Sequence, residues 1–228
     1  MNWFTQVFTS ALGRKYVMAI TGLFLCSFLV VHLTGNLLTL LPDGGLTFNA
    51  FTHFMESNLV IKAVEILLFA GFIIHILQAL IITWKNRSAR PVKYAISPGN
   101  ASSKWYSRNM GILGSLLLVF LVIHMRDFFF ELKFDEESFG LDANGNVDLY
   151  TEVVATFGIL PYAVLYFLSM FALGYHLWHG FQSAFRSLGI MHKNYTPAIE
   201  GLGKVYTIII TGGFMFLPVY WYLVQLLK

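Results

Sequence analysis

Five stretches of this chain, at about 16–41, 59–84, 109–130, 155–184 and 204–227, are each long and apolar enough to cross a lipid bilayer, which takes roughly 20 such residues. This constrains the fold more than any other feature. Backbone N–H and C=O groups in hydrocarbon must be satisfied within their own segment, so each stretch predicts a helix. The expected fold is an all-α integral membrane protein, a single domain over residues 1–228 with a bundle of five transmembrane helices and little else. Composition agrees: 57% of residues are hydrophobic and 12% charged, where a soluble domain carries about 25% charged residues. Arg14 and Lys15 precede an apolar run too long for a signal-peptide core of about 7–15 residues, and no small-residue cleavage site follows. The first span is therefore expected to stay.

Charge distribution predicts orientation. Placing the N-terminus inside puts Arg14, Lys15, Lys85, Arg87, Arg90, Lys93, Lys104, Arg108, Arg186, Lys193 and Lys204 on the cytoplasmic side. Only Lys62, Arg126, Lys133 and Lys228 remain outside. Lys and Arg concentrate in cytoplasmic loops, so an N-in, C-out topology is expected. The acidic 131–152 segment then lies outside. The 85–108 segment, with its basic and turn residues, reads as a hydrated cytoplasmic connection.

Several functions are excluded. The single cysteine, Cys26, holds neither an iron–sulfur cluster nor an internal disulfide and reads as a packing residue. No glycine-rich phosphate-binding motif occurs, and nothing points to nucleic acid. The run Asp142-Ala143-Asn144-Gly145-Asn146-Val147-Asp148 has Val147 and Val153 where a calcium loop needs Gly and Glu. It reads as an Asn-Gly turn.

Four histidines, His32, His75, His124 and His176, lie one in each of the first four spans. Ionisable groups at membrane depth are costly and mark function. Imidazole is the usual axial ligand of b-type haem, so four of them suit two haems. Helix rise sorts them by depth. From the cytoplasmic ends, His32 stands at roughly 24 Å, His124 at roughly 22 Å, His75 at about 14 Å and His176 at about 12–15 Å. His32 with His124 form an outer pair; His75 with His176 form an inner one.

Gly35, Gly71 and Gly180 share a helix face with His32, His75 and His176. Each is expected to clear space for a flat macrocycle. His124 has Phe120 and Phe128 at those places, and aromatic rings can equally flank a porphyrin. His179, one turn from His176, competes as a ligand; His53 and His192 are expected in solvent. Glu65, in the second span, is a candidate for proton exchange with quinone, with Glu56 and His53 weaker. Arg14, Lys15 and Lys93 can pair with haem propionates or serve topology alone.

The whole chain resembles the di-haem cytochrome b subunit of succinate:quinone oxidoreductases (succinate dehydrogenases and fumarate reductases) of the single-chain, five-helix type. The resemblance rests on Gly13-Arg14-Lys15, Met18-Ala19-Ile20-Thr21-Gly22, Val31-His32-Leu33-Thr34-Gly35-Asn36 and Gly174-Tyr175-His176-Leu177-Trp178-His179-Gly180, with Ser183, Phe185 and Gly189 following. Glycines four and thirteen residues after the family's helix-4 ligand match Gly180 and Gly189 when counted from His176, which favours His176 over His179.

The resemblance implies a membrane anchor in the cytoplasmic membrane of a bacterium. It implies a flavoprotein subunit and an iron–sulfur subunit docked on the cytoplasmic face, and electron transfer through two haems b to a quinone, commonly menaquinone, in a respiratory chain. The succinate site lies on the flavoprotein. Some fumarate reductase members carry a glutamate where this chain has Gly174, which leans the expectation toward succinate oxidation. The alternatives are a haem b subunit of a hydrogenase or formate dehydrogenase, or a haem-free transporter or anchor. The quinone is expected to react on the outer side, near His32, His124 and Glu65.

Overall fold

The computed structural model of the protein describes residues 3–89 and 104–228. Arg90, Lys93 and most of the basic connection at 85–108 lie outside the described residues. The protein is all-α. Its helices are α1 (Trp3–Thr9), α2 (Ala11–Leu37), α3 (Leu46–Ser57), α4 (Leu59–Ser88), α5 (Trp105–Arg108), α6 (Met110–His124), α7 (Glu131–Phe134), α8 (Leu149–Gly158), α9 (Leu160–Ser187) and α10 (Thr196–Leu226). Five helical spans, Ala11–Leu40, Leu59–Ser88, Met110–Phe134, Leu160–Ser187 and Thr196–Leu226, are long and apolar enough to cross a membrane.

Local chemistry sets the helix ends. The first long helix starts five residues earlier than the predicted 16 because Ser10 caps it, its hydroxyl accepting from the Gly13 N–H at 3.0 Å. Asn58 caps α4 through the Val60 and Ile61 N–H groups at 2.9 and 3.2 Å. The span predicted at 155–184 is divided. Residues 149–158 form α8, and a new helix begins at Leu160 with Pro161 in its first turn, where the missing proline N–H is not needed. α10 begins at Thr196, eight residues before the predicted 204, again with a proline (Pro197) in the first turn.

Side-chain pairs give the helix directions. Residues 21 and 24 of α2 meet 75 and 71 of α4, so these two run antiparallel. Gly111 of α6 faces Thr83 of α4, and Phe129 faces Phe69. Phe120 and Phe128 meet Tyr166 and Phe157. Phe181 of α9 meets Gly203 and Tyr206 of α10, and Gly158 meets Gln225. Along α2, Cys26, Leu33 and Thr39 meet Tyr206, Gly213 and Trp221 of α10. Thus α2, α6 and α10 run one way, α4 and α9 the other. The end where α2 begins is the near end below; the opposite end is the far end.

The far end carries a cap that the expectation of little beyond five helices did not include. Helices α3 and α8 close it around Phe48, Leu149, Val153, Val154, Phe157, Tyr166 and Trp221. Asn49, fully buried, is its latch. Its amide donates to Asp148 Oδ1 at 3.0 Å and its Oδ1 accepts from the Tyr150 N–H at 3.0 Å. Gly45 begins α3 at φ 90°, against the Tyr150 ring. The 142–148 segment is a turn with Gly145 at φ 81° and Asp142 N–H bonded to the Asn146 carbonyl at 2.8 Å.

Candidate cofactor-binding histidines

Helix directions carry the four histidines of the long apolar helices to two levels. At the far level His32 of α2 and His124 of α6 have ring centroids 5.6 Å apart, with planes at 77°. At the near level His75 of α4 and His176 of α9 have centroids 6.2 Å apart, at 62°. Metal–imidazole bonds of about 2 Å on opposite sides of one ion place ring centres roughly 6 Å apart. Thr21, which bonds His75, lies eleven residues before His32 on the same helix, so the levels are separated by roughly 16 Å.

The two levels differ chemically. At the near level His75 Nδ1 lies 3.1 Å from Thr21 Oγ1. The nearest acceptor for the Thr21 hydroxyl proton is the Val17 carbonyl at 2.8 Å, which leaves the threonine oxygen free to accept from a His75 Nδ1–H. In that tautomer Nε2 keeps its lone pair for a metal. Nδ1 of His176 is buried with no partner among the described residues, as is Oε1 of Gln78, one turn from His75. His179 sits apart, its ring 5.9 Å from Tyr106 of α5. Of the two candidates on α9, His176 is thus the one beside His75.

The far level is an aromatic box. His32 stacks on Phe28 at 5.2 Å and meets Phe214 at 5.4 Å. His124 stacks on Phe120 at 5.7 Å, meets Phe128 at 5.5 Å and Tyr166 at 5.9 Å. Its Nδ1 is buried without a partner among the described residues.

The expected clearance by three glycines holds at one position only. A Cβ on Gly180 would meet nothing within 4 Å among the described residues. The face of Gly35 is filled by the Phe51 ring, supplied by the cap helix α3, and that of Gly71 by Phe24 at 3.2 Å. Small residues let neighbouring helices approach, and here aromatic rings from α3 and α2 take the room.

Glu65 is half-buried on α4, and the hydrogen bonds and ring contacts around the four histidines run to other residues. Glu56 is paired with Lys133 at 2.5 Å, and His53 and His192 are exposed as expected. At the near end Lys15 is exposed, while half-buried Arg14 donates to the Thr9 carbonyl. Lys93 lies outside the described residues.

Asp127 is a carboxylate that the sequence reading overlooked. Directly after His124 the helix widens into a π-helical segment, Met125–Phe130. Such wide turns are frequent at functional sites. This one holds Asp127 buried at 4% exposure, accepting from the Tyr166 hydroxyl at 3.2 Å and from Arg126 at 3.0 Å. A charged residue inside the apolar run His124-Met125-Arg126-Asp127-Phe128-Phe129-Phe130 was the available signal.

The donor set fits haem b better than a bare ion. Among the described residues no three His, Cys, Asp or Glu side chains converge, whereas structural zinc takes four ligands. Two imidazoles at each level match the two axial positions that a porphyrin leaves open on its iron. Compared with protein-family models, curated proteins and solved structures, the chain matches none.

Proposed function

We propose that the chain is the membrane anchor and electron-transfer subunit of a succinate:quinone oxidoreductase, with His32 and His124 holding one haem b and His75 and His176 another. The observation that carries the reading is the pairing of four intramembrane imidazoles at two levels, each with the ring separation that bis-imidazole ligation needs. Bound there, the haems supply one-electron redox chemistry inside the membrane. The chain's own residues do the rest. Thr21 orients His75; Phe28, Phe120, Phe128 and Phe214 hold the far pair and keep water from it.

The orientation follows from charge. The near end, rich in Lys and Arg, faces the cytoplasm of a bacterium, where a flavoprotein subunit and an iron–sulfur subunit dock. Quinone, menaquinone in this reading, reacts at the far end, with Glu65 as a proton-exchanging group. Two levels serve a purpose only when the acceptor lies across the membrane from the point of electron entry.

A reduced-minus-oxidised spectrum of the purified chain tests the proposal, with a pyridine haemochrome assay and identification of co-purifying subunits. The expected result is two b-type haems per chain and association with a flavoprotein and an iron–sulfur protein. Absence of a b-type band refutes it. Two haems with hydrogenase or formate dehydrogenase subunits keeps the haem sites and overturns the succinate assignment.

A further inference from the structure

A recess of about 220 Å³ opens at the far end, lined by Glu131, Phe139, Asp148, Thr151 and Glu152 among others. Such a volume admits several waters, each occupying about 30 Å³ in the liquid. Glu131 on its wall lies one helical turn beyond Asp127 and within electrostatic reach of Glu152, Arg126 and Asp127. Asp127 in turn bonds Tyr166, whose ring packs on His124. Arg126 spans the boundary. Its side chain is 66% exposed while that of Asp127 is 5% exposed, and it also reaches the Tyr162 hydroxyl at 3.4 Å. Acidic, water-accessible groups therefore lead inward to one buried carboxylate beside the far histidine pair.

We infer that this recess is a proton inlet and that Asp127, in addition to Glu65, is a carboxylate through which protons reach quinone at the far level. The inference rests on the quinone reading above and assigns its proton path. Quinone becomes quinol by taking two electrons and two protons, each C=O becoming C–OH. The electrons come from succinate through the partner subunits. The protons come from water in the recess, Asp127 releasing one and regaining it for each O–H bond formed. The π-helical segment sets Asp127 inward, where its bonds to Tyr166 and Arg126 hold it. Titratable and charged groups facing it are Arg126 and Glu131 from its own helix and Tyr166 from α9, with Tyr162 of α9 beside Arg126 and Glu152 of α8 beside Glu131.

The test uses the complex as purified, in Asp127→Asn and Asp127→Glu forms, with a water-soluble menaquinone analogue. Haem content is measured first; two haems in the unmutated complex are required by the functional reading itself, and their absence overturns that reading rather than the inlet. Asp127→Asn is expected to keep both haems and to lower quinone-linked turnover at least tenfold, with Asp127→Glu restoring it. Redox-difference infrared spectra are expected to lose a carboxyl band in Asp127→Asn, a signature that a merely structural ion pair does not predict. Turnover within twofold of the unmutated complex, both haems present, overturns the inlet. Should Asp127→Asn lose the far haem, the double variant Glu131→Gln/Glu152→Gln decides. Slowed turnover with both haems supports the inlet, and unchanged turnover overturns it.

Discussion

Replacing Thr21 by valine isolates one contact at the near level. Valine keeps the shape of threonine and removes the oxygen that accepts from His75 Nδ1–H at 3.1 Å. The Val17 carbonyl loses only a supplementary donor, since it lies inside α2. A buried donor left without an acceptor costs about 1–3 kcal/mol. At about 1.4 kcal/mol per decade, that weakens binding through His75 roughly 5- to 140-fold, the range found when partners of metal-bound histidines are removed. Thr21→Ser restores the oxygen and is expected to bind like the parent. The assay is titration of the haem-depleted chain with haem, each level followed by its spectrum in chains where the other pair has been replaced by alanine. The far level is expected to be unaffected. Equal near-level affinity in Thr21→Val and the parent refutes the argument that this hydrogen bond orients His75.

Substituting His32 or His124 is expected to remove one haem and spare the other, and His75 or His176 the converse, while His179→Ala retains both; haemochrome stoichiometry checks this. Gly203→Ala places a Cβ 2.7 Å from Phe181 Cδ1, and overpacking of this kind costs about 1–3 kcal/mol, read as a lower unfolding temperature in detergent. Asn49→Ala leaves the Tyr150 N–H unpaired inside the cap. The expected loss of about 1–3 kcal/mol shows as faster proteolysis between α2 and α4. The Thr47 hydroxyl and N–H, helped by the Gly45 N–H, hold the Asp43 carboxyl below the usual carboxylate range. A lowered folded pKa contributes stability above the unfolded value of about 3.9 that is lost as pH falls through the folded one. Hydrogen exchange over α3 is therefore expected to accelerate on acidification below about pH 4, and Asp43→Asn to abolish that dependence.

Helix rise alone was enough to say which histidines would be neighbours, because depth in an antiparallel bundle follows from counting residues. Hydropathy located the five spans for a similar reason, since backbone satisfaction in hydrocarbon leaves no alternative to a helix. The failures share a different cause. Helix α3, Leu46-Thr47-Phe48-Asn49-Ala50-Phe51-Thr52-His53-Phe54-Met55-Glu56-Ser57, is too short and polar to register as a span. Phe48, Phe51 and Met55 at three- and four-residue spacing carried the missed signal. Gly35 and Gly71 were legible as small positions, but whether a cofactor or a phenyl ring fills the space beside them depends on which helix arrives there. Asp127 lies inside the predicted span 109–130, but a regular helix there does not say that it turns inward, and a widened turn has no periodicity to announce it.

The separation of the two levels bears on why one chain carries two pairs. The hydrocarbon core is about 30 Å thick, and the levels lie roughly 16 Å apart along α2. A carrier at only one level would leave most of that thickness to be crossed in a single step toward the opposite face. On the proposed function, two levels divide the passage into three shorter ones, from the near surface to His75 and His176, between the levels, and from His32 and His124 to the far surface. On that proposal the last step is the one that meets protons, and the polar groups are distributed in keeping with it. The near pair has a neutral threonine to orient it. The far pair has a buried carboxylate one turn away, held by a tyrosine and an arginine and backed by an acidic recess. Burying a carboxylate costs free energy unless it is paired and hydrogen-bonded, and this chain accepts that cost at the far level, where the proposed electron path meets water.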